Sequence, residues 1–254
     1  LGTAADPAGV AGSATSDIPV LFMIGCTNCL VEGIVLKDSE AWTLVIQDSS
    51  YVLADNVKII SAVGPVWHDG IDINISDHVT IQDSFVLTDD DTLQIGGLTY
   101  DRASGYPPTD TIAVTRSVLW ANANNWRIGW PARTPYISNL IFTDIDVIHR
   151  ASYLPVVAMQ VSGNGTTGTP LTNVCFENIR IEADNGWTGY FIELEPQVWG
   201  GGSLGPPGSI QNVVFKDINL GGYQNPATLG TISIVSPSAE SYVKDVTFGN
   251  VVRY

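Results

Sequence analysis

One apolar pattern recurs eight times from residue 18 to the end of the chain, and it limits what the chain can become. A polar turn leads into two or three apolar residues at alternate positions, then a polar pair, then a second alternating run. The copies are residues 28–36, 51–60, 78–87, 110–120, 138–148, 172–181, 211–220 and 242–251. With Val31, Leu53, Ile81, Val114, Phe142, Phe176, Phe215 and Phe248 taken as equivalent, they lie 22, 28, 33, 28, 34, 39 and 33 residues apart. A core period of ~22 residues, with insertions gathered at one place in each repeat, is how a solenoid reads.

The central polar pair, as in Glu32-Gly33, Asp55-Asn56, Gln82-Asp83, Glu177-Asn178, Lys216-Asp217 and Gly249-Asn250, marks a tight bend between two strands of one coil. Asn, Asp and Gly tolerate the left-handed conformation such a bend needs. One coil cannot bury its own apolar side chains, whereas stacked coils can, with equivalent strands ~4.8 Å apart in parallel sheets. A propeller would need antiparallel hairpins at regular spacing. Only Asp69-Gly70 and Asn185-Gly186 offer suitable turns near apolar runs. The long Gly- and Pro-rich loops are not expected to close hairpins. The expectation is an all-β, right-handed parallel β-helix of about eight coils over residues 18–254, preceded by an irregular segment, 1–17. The small-residue start reads as a processed product or part of a longer chain. Long insertions sprouting from one corner, at residues 96–110, 131–136, 162–170, 199–209 and 221–228, would wall a groove.

Charge and cysteines narrow the partners. A net charge of −15 repels nucleic acid and anionic membrane surfaces, so neither is expected, and a neutral ligand suits the chain better than a polyanion. The longest apolar run, residues 18–24, is too short to span a bilayer. Cys26 and Cys29 have the spacing of half a zinc site, but no second pair completes it. They read as a local disulfide or two buried thiols, and Cys175 as inert core. Of two sequons, Asn74 lies in a strand where a glycan would crowd a cleft, while Asn164 in a Gly/Thr-rich loop is the candidate glycosylation site.

The chemistry gathers in two acidic steps. Asp69 lies 21 residues before Asp90 and 22 before Asp91, one core period away, and each step precedes a short apolar strand. One coil of displacement brings the three carboxylates side by side, and groups that close cannot all ionise freely, so at least one pKa should rise. A raised carboxylic acid beside ionised ones suits glycosidic cleavage, in which one group protonates the leaving oxygen and another activates water. A gap wide enough for that water gives inversion. The same residue types also stack at solenoid turns for purely structural reasons, or hold Ca²⁺.

The layout Asp69-Gly70-Ile71-Asp72, then Asp90-Asp91-Thr92-Leu93-Gln94-Ile95 one coil on, resembles the β-helical glycoside hydrolases, the clan of families 28 and 49. Family 28, the polygalacturonases, would require a Gly-His-Gly on the next coil and an Arg-x-Lys beyond; neither occurs. Residues 118–120, 129–133, 139–142 and 146–149 look instead like family 49, the dextranases and isopullulanase. That resemblance implies an inverting, metal-free and cofactor-free secreted hydrolase of a neutral α-glucan, dextran- or pullulan-like. It makes Asp90 the general acid and gives Asp69 and Asp91 a shared general-base role. His68 stands where the family has Thr and Gln94 where it has Lys; the family's amino-terminal β-sandwich is not in this sequence. Trp67, His68, Gln94, Arg127 and Trp130 are the candidate substrate contacts: the indoles to stack sugar rings, Arg127 to bond hydroxyls, His68 to tune Asp69. The alternative is a catalytically silent β-helix that binds carbohydrate or assembles with copies of itself.

Overall fold

The computed structural model describes residues 19–61, 68–97, 106–130, 134–150, 154–161, 163–164, 167–183, 190–196, 206–221 and 232–253. Two parallel sheets account for almost all of its strands. Leu21–Ile24, Leu44–Gln47, Ile71–Asn74, Leu93–Gly96, Trp126–Ile128, Val157–Met159, Ile192–Leu194 and Ile232–Ile234 stack in that order into the first. The second is built on Thr27–Glu32, Ser50–Asp55, Asp77–Gln82, Thr109–Ala121, Ile137–Arg150, Pro170–Ala183, Ser209–Gly221 and Val243–Arg253. Each pass of the chain adds one strand to each sheet, giving the eight coils of a parallel β-helix. In the first three coils the second leg continues as a separate strand, Val35–Lys37, Lys58–Ser61 and Phe85–Thr88. From the fourth coil onward the two legs form one long bent strand, and no helix occurs among the described residues.

The bend lies where the polar pairs put it. Gly33, Asn56, Asp83, Arg116, Asp144, Asn178, Asp217 and Asn250 all have positive φ, between 48° and 66°. Asn, Asp or Gly fills seven of the eight places because those residues enter the left-handed region at least cost; Arg116 is the exception.

Inside, like side chains stack on like. Val114, Phe142, Phe176, Phe215 and Phe248 stand in register on successive coils. Ring centroids are 4.7 Å apart for Phe142–Phe176, 4.9 Å for Phe176–Phe215 and 5.3 Å for Phe215–Phe248. Trp126 meets Phe142 and Phe176 edge-on. Each such aromatic pair adds about 0.5–1.5 kcal/mol beyond its buried area.

Three expectations need correction. The stack passes through Ala54, which pairs with Val31 and Ile81; Leu53 is one residue out of phase and faces outward, since a shift of one reverses every side chain in a strand. Cys175 likewise lies between two core residues, Val174 and Phe176, and so faces away from the core. One loop does close a hairpin, a two-residue antiparallel ladder of Gly163–Asn164 with Thr167–Gly168. Cys26 and Cys29 are free and half-buried. Asn74 is 1% exposed, which rules out a glycan on the folded chain. Most of the long insertions, and the segment 1–17, lie outside the described residues.

Candidate active site

The acidic steps stack because the backbone just ahead of the first sheet is itself paired. The Gly70 amide donates to the Asp91 carbonyl at 2.8 Å, and the Thr92 amide to the Asn124 carbonyl at 3.0 Å. Asp69, Asp91 and Asn124 therefore occupy the same place on three successive coils. Each carboxylate is then tied to the coil above it. Asp69 Oδ1 accepts the Asp91 amide at 3.1 Å, and Asp91 Oδ1 accepts the Asn124 amide at 2.7 Å. Gly70 is required for this approach. A Cβ there would stand 2.6 Å from the Thr92 carbonyl oxygen and 2.4 Å from a Val86 methyl. Thr88 Oγ1 donates to the Asp90 carbonyl at 2.9 Å and fixes the turn that carries Asp90. One oxygen from each of Asp69, Asp90 and Asp91 lies within 4.8 Å of the others.

A fourth carboxylate joins them. In the strand Ile71–Asn74, Ile71 and Ile73 enter the core, so Asp72 faces the opposite side with Asp69, at 1% exposure. The two carboxyl groups are close enough that one of them, when protonated, can donate to the other. Burial, followed by the charges of Asp72, Asp91 and Asp90, holds Asp69 well above the usual carboxylate range, against the opposing pull of the Asp91 amide. Burial and the charges of Asp91 and Asp90 do the same to Asp72. A proton persists here at pH values where an ordinary aspartic acid has lost it. Asp72 was within the stretch singled out from sequence yet not chosen. The signal was strand alternation, which puts every second residue of 71–74 on the groove side. Asn124 was missed because it is no carboxylate, although it holds the equivalent step one coil on.

The next coils supply polar and aromatic groups. Gln94 lies in register between Asp72 and Arg127. Gln94 Nε2 donates to the Trp130 carbonyl at 2.6 Å, while its Oε1 is buried without a partner. The Arg127 guanidinium donates to Asn124 Oδ1 at 3.3 Å and sits 4.9 Å over the Trp130 ring. Gln94, Arg127 and Trp130 thus form one group joined to the acids through Asn124. His68 does not engage Asp69. Its Nδ1 meets the Asp89 carboxylate at 2.9 and 3.0 Å, so the aspartate just before Asp90 is a partner for the histidine rather than for substrate. Trp67 lies outside the described residues; Asn164 has its backbone in the small hairpin and its side chain outside the described atoms. The three oxygens within 4.8 Å would also fit one divalent cation.

Comparison with known proteins places this geometry among relatives. Residues 9–101, which include all four acids, match the profile of glycosyl hydrolases family 28. The polygalacturonase QRT2 of Arabidopsis thaliana is 25% identical over 187 residues, 62% of this chain and 42% of that protein. Among solved structures, the endo-xylogalacturonan hydrolase of Aspergillus tubingensis aligns over 92% of this chain and 60% of its own, with a TM-score of 0.61 at 16% identity. The hyperthermoactive exopolygalacturonase of Thermotoga maritima aligns over 90% and 53%, with a TM-score of 0.60 at 16% identity. The chain thus spans less than two thirds of the length of each. At such identities the structural likeness speaks for the β-helix alone. Together with the profile match it supports the clan of β-helical hydrolases, and not family 49 in particular.

Proposed function

We propose that the chain is a glycoside hydrolase acting on a pectin-class polysaccharide through Asp69, Asp90 and Asp91. The observation that carries this reading is the convergence of their oxygens within 4.8 Å beside a buried, proton-retaining Asp69–Asp72 pair. In this reading Asp90, the least buried of the three, gives its proton to the leaving glycosidic oxygen. Asp69 and Asp91 hold the attacking water. One water donating to both at ~2.8 Å each spans about 4.5 Å, on the scale of the 4.8 Å within which their oxygens lie. As the water attacks, its proton passes to Asp91, because the Asp69–Asp72 pair already holds one. The acids sit closer together than the ~6.5–9.5 Å usual for inverting pairs. The anomeric outcome is therefore a direct test: inversion supports the shared water, and retention would mean that one aspartate attacks carbon itself.

The substrate class rests on the relatives, one named a polygalacturonase and one an endo-xylogalacturonan hydrolase. Arg127 is the cation that the groove strands provide among the described residues, and it suits a uronate carboxylate beside the acids. A neutral α-glucan is the second reading, favoured by the net charge of −15. The test is incubation with polygalacturonate, xylogalacturonan, dextran and pullulan, with and without a chelator, reading product size and anomeric configuration by proton NMR. Inverted products from a galacturonan substrate, unchanged by the chelator, are expected. Products from dextran or pullulan alone would move the assignment to the second reading. Binding without products would leave a silent carbohydrate-binding β-helix.

A further inference from the structure

Beyond Arg127 the groove floor changes character. The strands Val157–Met159 and Ile192–Leu194 put Val157, Met159, Ile192 and Leu194 into the core, so Ala158, Gln160, Glu193 and Glu195 face the same side as Asp72, Gln94 and Arg127. Register carries Arg127 to Ala158 and Ala158 to Glu193. Gln160 is 4% exposed. Its Nε2 donates to Glu193 Oε2 at 2.8 Å, and its Oε1 has no hydrogen-bond partner. A buried amide whose donor is tied and whose acceptor is idle costs stability unless something outside the protein donates to it. Beside it, the half-buried Glu193 has oxygens that only accept when ionised.

From these observations we infer that the floor formed by Ala158, Gln160, Glu193 and Glu195 is a binding subsite for a neutral sugar residue. Two acceptors, the Gln160 carbonyl and the Glu193 carboxylate, face a ligand that must bring donors, and sugar hydroxyls are donors. A uronate there would lie over Glu193 and Glu195, with no cation on this floor beyond Arg127 among the described residues, and like charges repel. The subsite lies two to three strand steps, ~10–14 Å, from the Leu93–Gly96 strand that follows Asp91, within reach of one oligosaccharide occupying both. This inference rests on the glycosidase reading and narrows it. The bond cut by the acids would belong to a chain carrying a neutral sugar some residues away, not to an unbroken galacturonate run.

The test reads binding rather than turnover, so that its failure can be told from failure of the catalytic reading. Isothermal titration of the Asp90→Asn chain would use neutral hexasaccharides of glucose, galactose, arabinose and xylose, and hexagalacturonate. At least one neutral hexamer should bind more tightly than hexagalacturonate. Glu193→Gln, which keeps the shape and removes the charge, should weaken that neutral hexamer ~10-fold or more, the scale of a lost charge-assisted hydrogen bond. Gln160→Lys, which puts a cation on the floor, should reverse the preference towards hexagalacturonate. A wild-type floor that favours hexagalacturonate, binds no hexamer, or keeps its affinities in both variants overturns the inference. If binding behaves as expected but the unmodified chain hydrolyses nothing, the subsite stands and the hydrolase reading falls.

Discussion

Stacked Asp and Asn form exposed rows along this β-helix and one buried row at the groove corner, and the two kinds have opposite physical fates. Along the exposed edges of the second sheet, Asn139, Asn173 and Asn212 bond side chain to side chain at 3.1 and 2.7 Å. At the bend, Asn178 meets Asp144 at 3.2 Å and Asn250 meets Asp217 at 2.6 Å. Acids here have cations, with Asp83 forked by Arg116 at 2.8 and 2.7 Å and Asp144 held by Arg180 at 2.9 Å. At the groove corner the same residue types at the same coil spacing are buried, and backbone amides meet Asp69 and Asp91. The exposed row lowers the pKa of Asp83 through Arg116; the buried row raises those of Asp69 and Asp72. Repetition alone does not distinguish structure from chemistry. Burial and the kind of partner do.

Substitutions can break this contrast, and the largest effect is expected at Asp90. Asp90→Asn should cut hydrolysis by about 10²–10⁴-fold, the usual worth of a general acid, with an unchanged circular dichroism spectrum; near-native turnover would remove Asp90 from the chemistry. Gly70→Ala comes next. Its Cβ would overlap the Thr92 carbonyl and Val86, and overpacking of this kind costs about 1–3 kcal/mol. Both the melting temperature and activity should fall together; an unaltered protein would show that the corner has slack.

The two kinds of row should also respond to pH with opposite sign. Folded Asp69 and Asp72 titrate above their unfolded values, so the native state keeps protons that the unfolded chain has already released. Their contribution is fully present below about pH 4 and is lost as pH rises towards the folded values. Asp72→Asn should flatten that decline in urea-melt stability, by on the order of 1 kcal/mol for each tenfold of extra proton affinity that the substitution abolishes. A decline unchanged in the variant would place the buried proton elsewhere. Asn173→Ala removes one rung of the exposed row and a residue at φ 59°. It should cost about 1–2 kcal/mol with no change in turnover. The smallest effect belongs to Asp83→Asn. Asp83 titrates below its unfolded value, so its contribution is present above about pH 4 and lost only as pH falls further. The exposed pair is screened, so the substitution should lower the stability curve only slightly above about pH 4 and leave its acid end unmoved. A large loss at neutral pH would show the pair to be more than a surface contact.

Much of this molecule could be read before folding was considered. The eight repeats, the bend and the one-period spacing of Asp69 from Asp90 and Asp91 are periodic facts, and period is what a sequence displays best. The phase of a single weak repeat was harder to read: the apolar Leu53 outranked Ala54 by hydrophobicity, while register chose Ala54. Asp72 and Gln160 were passed over because an acid or amide within an apolar strand carries no sign of which side it faces until its neighbours are counted into the core. His68 was assigned to its sequence neighbour Asp69, but its partner is Asp89, 21 residues on. Adjacency in the chain is a poor guide to contact in a solenoid, where the next coil is nearer than the next residue's side chain.

The sequence by itself determined the coil, its number and the presence of an acidic step one period long, because stacking of identical turns follows from a repeat whatever its surroundings. Only the tertiary structure decided which acids share a proton, which are neutralised by arginine, and where the groove floor turns from carboxylates to the amide and carboxylate of Gln160 and Glu193. Those outcomes depend on burial and on distances between coils, and both come into being only when the turns are stacked.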